Sequence, residues 1–77
     1  MNKYNIDDKM NARLENDFTY HAPKDDQQER YISLREWAKG FAIHIVRNTP
    51  QSREQSVALT HLEECIFYAN AAIARNE

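Results

Sequence analysis

The chain has 77 residues, with ten Lys plus Arg against twelve Asp plus Glu and a formal charge of -2. That length holds one small domain, below the ~100 to 150 residues usual for an independent fold, and excludes a large self-contained enzyme core; the charge excludes a protein that coats DNA or RNA polymers. One Gly and two Pro, with 42% hydrophobic and 29% charged residues, exclude collagenous, low-complexity and turn-rich all-β architectures and favour an all-α chain.

The first eight residues carry no apolar core of a signal peptide, and no apolar run approaches the ~20 residues of a membrane span, so neither standard export nor membrane insertion is expected. A short helix is expected within residues 1–18, because Ile6, Met10, Leu14 and Phe18 recur at steps of four and share one helical face. Residues 19–25 form a loop: Pro23 lacks an N–H and biases Ala22 away from helical geometry. Asp26 with Glu29 has capping-box spacing and opens a second helix over residues 26–48. Its seam is Tyr31, Leu34, Ala38, Phe41 and Ile45, the 3-4 spacing of helices packed lengthwise. Gly40 interrupts this helix at a cost of about 1 kcal/mol relative to Ala and marks a place for close packing.

Residues 48–52 are a short connector, and a short connector between helices implies an antiparallel hairpin. Ser52 and Gln55 form a capping box of the S-x-x-Q type, opening a third helix over residues 52–75 with the mating seam Leu59, Leu62, Ile66, Ala69 and Ile73. At 1.5 Å per residue each long helix spans roughly 34 Å. Trp37, Ile43, Val46, Val57, Phe67 and Tyr68 lie off both seams, and apolar surface left over in this way predicts an obligate homo-oligomer of hairpins.

Little in the chain suggests catalysis. His21, His44 and His61 sit on different elements; Glu64 follows His61 by three, but neither H-E-x-x-H nor a second ligand set accompanies it, so no metal and no other cofactor is expected. Cys65, beside the seam residue Ile66, reads as a small buried hydrophobe. It has no partner for a disulfide or a zinc site, which suits a reducing cytosol. Binding chemistry is better represented. The stretch Phe18-Thr19-Tyr20-His21-Ala22-Pro23-Lys24 sets aromatic rings that stack on bases beside His and Lys donors for phosphate, just ahead of a helix N-terminus. Arg35 and Lys39 share a face of the second helix. The plainer alternative makes Phe18 and Tyr20 a clamp on the hairpin and pairs the basic residues with Asp25, Glu29 or Glu36. Thr60 and Arg75 are further candidates, although Thr60 suits bonding to its own helix and Arg75 suits the helix dipole.

Four stretches in order resemble the phage anti-CBASS cyclic-nucleotide sponge family, whose hairpin is related to that of a Thoeris anti-defence sponge. They are residues 18–24, the pair Gln28-Glu29-Arg30-Tyr31 and Leu34-Arg35, the pair 50–55 and 58–63, and residues 69–76; together they cover about residues 17–77. The resemblance implies a short helix beside a long hairpin, assembly as a homohexamer, and sequestration without cleavage of the cyclic di- and trinucleotides that signal infection in CBASS immunity, in the cytoplasm of the bacterial host. It carries an aromatic contact to Tyr20, a basic phosphate contact to Arg35 or alternatively Lys39, and an arginine of a separate trinucleotide pocket to Arg75. His21, Lys24, Arg53 and Thr60 are added from their chemistry alone. Ala22 stands where the family is expected to have Pro, which loosens the loop. Two other readings are a helical oligomer that captures a host protein through Trp37 and Phe67, and a metal-dependent nucleotide hydrolase using His61, Glu63 and Glu64.

Overall fold

The computed structural model describes residues 3–77, and these form three α-helices with no strand among them. Helix α1 spans Asp8–Asp17. It is shorter than the span of the apolar steps, residues 6–18, because Asp7 caps it: its Oδ1 accepts from the Met10 N–H at 2.7 Å, satisfying a donor that the first turn leaves free. Residues 3–7 are not helical, and residues 1–2 lie outside the described residues. The helix closes where the Phe18 N–H donates to the Leu14 carbonyl at 2.9 Å.

Helix α2 spans Gln27–Asn48, and the expected Asp26–Glu29 capping box is absent. Asp26 has φ -90° and ψ 11°, outside the extended geometry that aims a cap side chain at the helix end, and its Oδ1 instead accepts from Arg30 Nε at 3.1 Å. The entry is organised by Gln27. Its Oε1 accepts from the Lys24 N–H at 3.1 Å, while its own N–H donates to the Lys24 carbonyl at 3.0 Å. Between them Asp25 takes φ 51°, left-handed geometry that Asp tolerates better than most residues. Among the described residues only Gln27 is buried, at 4% exposure.

Residues 49–52 join α2 to α3, which spans Arg53–Asn76. Ser52 caps α3, its Oγ accepting from the Gln55 N–H at 3.1 Å. The other half of that capping box fails: the Gln55 side chain donates to the carbonyl and hydroxyl of Thr49, at 3.1 and 3.0 Å, and so ties down the connector. The two long helices pack antiparallel. All five expected seam residues of α3 are half-buried, as are Tyr31, Leu34, Ala38 and Ile45 of α2. Phe41 is not on the seam. It is exposed, and Ala42 takes its place, because a 3.6-residue helix drifts by about 20° per heptad from a strict 3.5 repeat.

The body measures 49 × 37 × 15 Å. A helix with its side chains is about 10–12 Å across, so a thickness of 15 Å leaves no room for a second layer. Among the described residues no apolar side chain is buried, and Trp37, Val46, Phe67 and Tyr68 are exposed along the hairpin. Cys65, expected to be buried, is exposed too, since only the seam-facing side of α3 is covered. Gly40 meets no close neighbour: a Cβ there would have nothing within 4 Å. Among the described residues no helix is long and apolar enough to cross a membrane.

Candidate functional site

The hairpin's free ends, opposite the connector, carry a polar network and a cleft. Helix α1 is fastened there. Asn16 Nδ2 donates to the Arg75 carbonyl at 3.0 Å, and Arg75 Nη2 donates to the Asp17 carbonyl at 3.3 Å. The Arg75 guanidinium also lies 3.7 Å from the Asp17 carboxylate. His21 Nε2 lies 2.8 Å from the Asn16 carbonyl; a carbonyl only accepts, so this ring nitrogen carries the proton and the imidazole is fixed across the end of α1.

On the far side of Arg75, Glu77 closes the loop onto α2. Its carboxylate accepts from both terminal nitrogens of Arg30, with Nη1 to Oε2 at 2.7 Å, and from Gln27 Nε2 at 3.1 Å; Lys24 Nζ donates to the Glu77 carbonyl at 2.9 Å. A carboxylate held by a guanidinium fork and an amide favours its ionised form. The bonds from Arg30, then Gln27, hold Glu77 down at about 2, and Arg30 is raised above its ordinary value chiefly by Glu77.

Between the loop and the hairpin lies an open cleft of about 500 Å³, a size in the usual range of small-ligand sites. The loop contributes Thr19, Tyr20 and His21, α2 contributes Tyr31 and Arg35, and α3 contributes Asn70 and Arg75. Four residues singled out from the sequence therefore meet: Tyr20, His21, Arg35 and Arg75. Tyr20 is 83% exposed and Phe18 84%, so neither ring clamps the hairpin of its own chain. Arg30 is the basic residue of α2 that pairs with nearby acids, at Asp26 and Glu77. Arg35 and Lys39 form no intrachain ion pair among the described residues. Arg35 is thus a cation with its donors open to the cleft.

The remaining candidates stand apart. Lys24 lines an adjoining cavity, of about 470 Å³, that shares His21 and Arg75 with the cleft. Lys39 lines a groove on the other side of Arg35 and Asn70. Thr60 lies in none of these; its hydroxyl donates to the Ser56 carbonyl at 3.0 Å, ten residues or roughly 15 Å along α3 from Asn70. Asn70 and Tyr31 line the cleft without having been singled out as ligand contacts. Tyr31 read as a seam residue, which it also is. A larger groove, of about 660 Å³, runs past Trp37, Gly40, Phe41 and Leu62. Its walls are mostly apolar, with Glu36 and His44 the polar members and no Lys or Arg, so it suits an apolar cover rather than a phosphate. Among the described residues no group of three His, Cys, Asp or Glu side chains gathers to hold a metal, and His61 Nδ1 lies 3.9 Å from Glu64.

Fold and cleft define a small helical-hairpin protein with an open, cation-lined site at the hairpin's free ends. The family model of the Acb2/Tad1 hairpin domain matches residues 10–74, and the chain belongs to that family of anti-CBASS and anti-Thoeris sponges. Membership implies binding of cyclic nucleotides in general. No curated protein and no solved structure matches the chain.

Proposed function

We propose that this chain is a phage-encoded sponge that binds cyclic di- or trinucleotide messengers without cleaving them and so blocks CBASS signalling in the cytoplasm of the infected host. The observation that supports this most is the pairing, on one cleft, of an exposed aromatic ring at Tyr20 with an unpaired guanidinium at Arg35. A cyclic nucleotide presents flat bases and phosphodiester anions together. Tyr20 stacks on a base, and the Arg35 fork takes phosphate oxygens. His21 and Arg75 line the same site, whereas Lys24, Lys39 and Thr60 reach a ligand only where a second copy brings its own helices against the cleft.

In this reading the working unit is a homo-oligomer, a hexamer by the family resemblance. The support is physical: among the described residues this thin body buries no apolar side chain, and Trp37, Phe41, Val46 and Phe67 are left open. Covering each such side chain is worth about 1.5–3 kcal/mol. Symmetry then repeats Tyr20 and Arg35 around an axis, a geometry suited to a cyclic ligand with its own symmetry.

The test is isothermal titration with a panel of cyclic di- and trinucleotides, recovery of the ligand by heating, and chromatography of what is released. Tight binding with intact ligand is expected, with a stoichiometry that reports the symmetry of the pocket. A cleaved product makes the protein an enzyme. No heat with any member refutes the sponge and redirects the search to a protein partner seated on Trp37 and Phe67.

A further inference from the structure

Asn70 carries a polar atom with no answer: its Oδ1 is buried and has no hydrogen-bond partner. The residue is half-buried on the seam face of α3, among Ile66, Ala69 and Ile73, where packing alone would favour an apolar side chain. An empty buried acceptor destabilises a fold, and an apolar replacement does not. The position also lies on the wall that the cleft shares with the Lys39 groove, and Arg35 lines both sides of that wall with it.

The chemistry of what answers Oδ1 follows from what it is. An acceptor needs a donor, so a phosphate oxygen cannot serve. A nucleobase edge can, through an exocyclic amine or a ring N–H. Of the polar groups lining the same cleft, the His21 ring is held by Asn16, Arg75 and Asp17 hold one another, and Arg35, which has the right chemistry to donate to Oδ1, makes no bond to it and in the sponge reading gives its donors to phosphate. Asn70 lines the cleft and the terminal amide torsion of Asn is broad, so contact with a ligand requires only that the amide turn, without a backbone change. Resting on the sponge reading, we infer that Asn70 is a specificity-determining residue whose Oδ1 accepts an N–H from the base edge of the bound nucleotide. Tyr20 and Arg35 hold any base and any phosphate; Asn70 distinguishes one base from another.

The test measures the wild type, Asn70→Leu and Asn70→Ala, the smaller change covering the case in which Leu does not fit. Each is melted without ligand, sized in solution, and titrated with cyclic di-AMP, cyclic di-GMP and cyclic GMP–AMP. The expected result has three parts. The Leu variant melts at or above the wild type, because the empty acceptor is gone. Affinity for the tightest-bound ligand falls about tenfold, the effect of one lost hydrogen bond. The ranking of the three ligands flattens, which a residue with a merely structural role would not cause. Variants that bind all three as the wild type does overturn the inference. So do variants that melt lower or fall apart into smaller species, since Asn70 then finds its partner in the fold or in another copy. A wild type that binds none of the panel refutes the sponge reading itself, and the inference falls with it.

Discussion

Arg35→Ala separates binding from folding more cleanly than any other change at the cleft. Arg35 is exposed and forms no intrachain ion pair among the described residues, so its removal is expected to alter stability by no more than about 0.5 kcal/mol. In the proposed complex the same guanidinium donates to phosphate, and a hydrogen bond to a charged group contributes about 1.5–3 kcal/mol. At 1.4 kcal/mol per decade, that is roughly a 10- to 150-fold weakening. Arg35→Lys keeps the charge but loses the planar fork, and is expected to fall between the two. The assay is titration with the ligand that binds the wild type best, repeated at low and high salt, beside thermal melts of the free proteins. Screening weakens the wild type more than the Ala variant, because the variant has one exposed ion pair fewer to lose. Unchanged affinity in Arg35→Ala refutes the phosphate role. A drop in melting temperature that matches the loss of affinity refutes the claim that this cation is held in reserve for the ligand. Arg75→Ala offers a contrast: it also breaks the attachment of α1 through Asp17, and both binding and stability should suffer.

Tyr20→Ala should weaken binding by about 1–3 kcal/mol, the usual worth of a base stacked on an aromatic ring, while Tyr20→Phe keeps most of it; equal losses in both variants would point to the hydroxyl instead, and titration distinguishes them. Ser52→Ala removes the acceptor for the Gln55 N–H and should cost about 1 kcal/mol, seen as a melting temperature lower by roughly 4–8 °C with ligand affinity unchanged. Glu77 has its carboxyl lowered from 4.5 to about 2 in the folded chain, so its contribution is fully present above the unfolded value of 4.5 and is lost as pH falls towards 2. Melts of Glu77→Gln should accordingly approach those of the wild type at the acid end of that window, whereas a gap that stays constant from pH 7 to pH 2 would show the ionised clamp to be irrelevant.

The hairpin was legible because periodicity is local. In α3 a 3-4 spacing located all five seam residues, and in α2 it located four; Phe41 was misplaced only where drift between the heptad and the true helical repeat had accumulated. Capping was half legible. Ser52 does cap α3, but the choice of partner for Gln55 depended on where the connector put Thr49, and at α2 the Asp26 carboxylate accepts from Arg30 in place of the helix N–H groups. The site divided along the same line. Tyr20 and Arg35, which share the cleft, could be singled out because their side chains advertise stacking and charge. The Glu77 clamp on Gln27 and Arg30 joins residues 47 to 50 positions apart, and no spacing rule reaches that far. Asn70 lacked any signal of its own, since a lone amide on a seam becomes informative only when its surroundings show that nothing bonds to it.

A hairpin joined at one end opens like a pair of tongs, and this one carries its cleft at the tips. Near the connector, the Ser52 cap and the Gln55 bonds to Thr49 keep the backbone closed; at the tips, closure rests on Glu77 and on α1. Opening free energies therefore grade along the rods, lowest beside Tyr31 and Arg75 and highest towards residues 45–62. Amide exchange should reveal that gradient in the free protein. A ligand seated across the tips should flatten it, so that capture of the messenger registers as slowed exchange in the very turns that otherwise fray first.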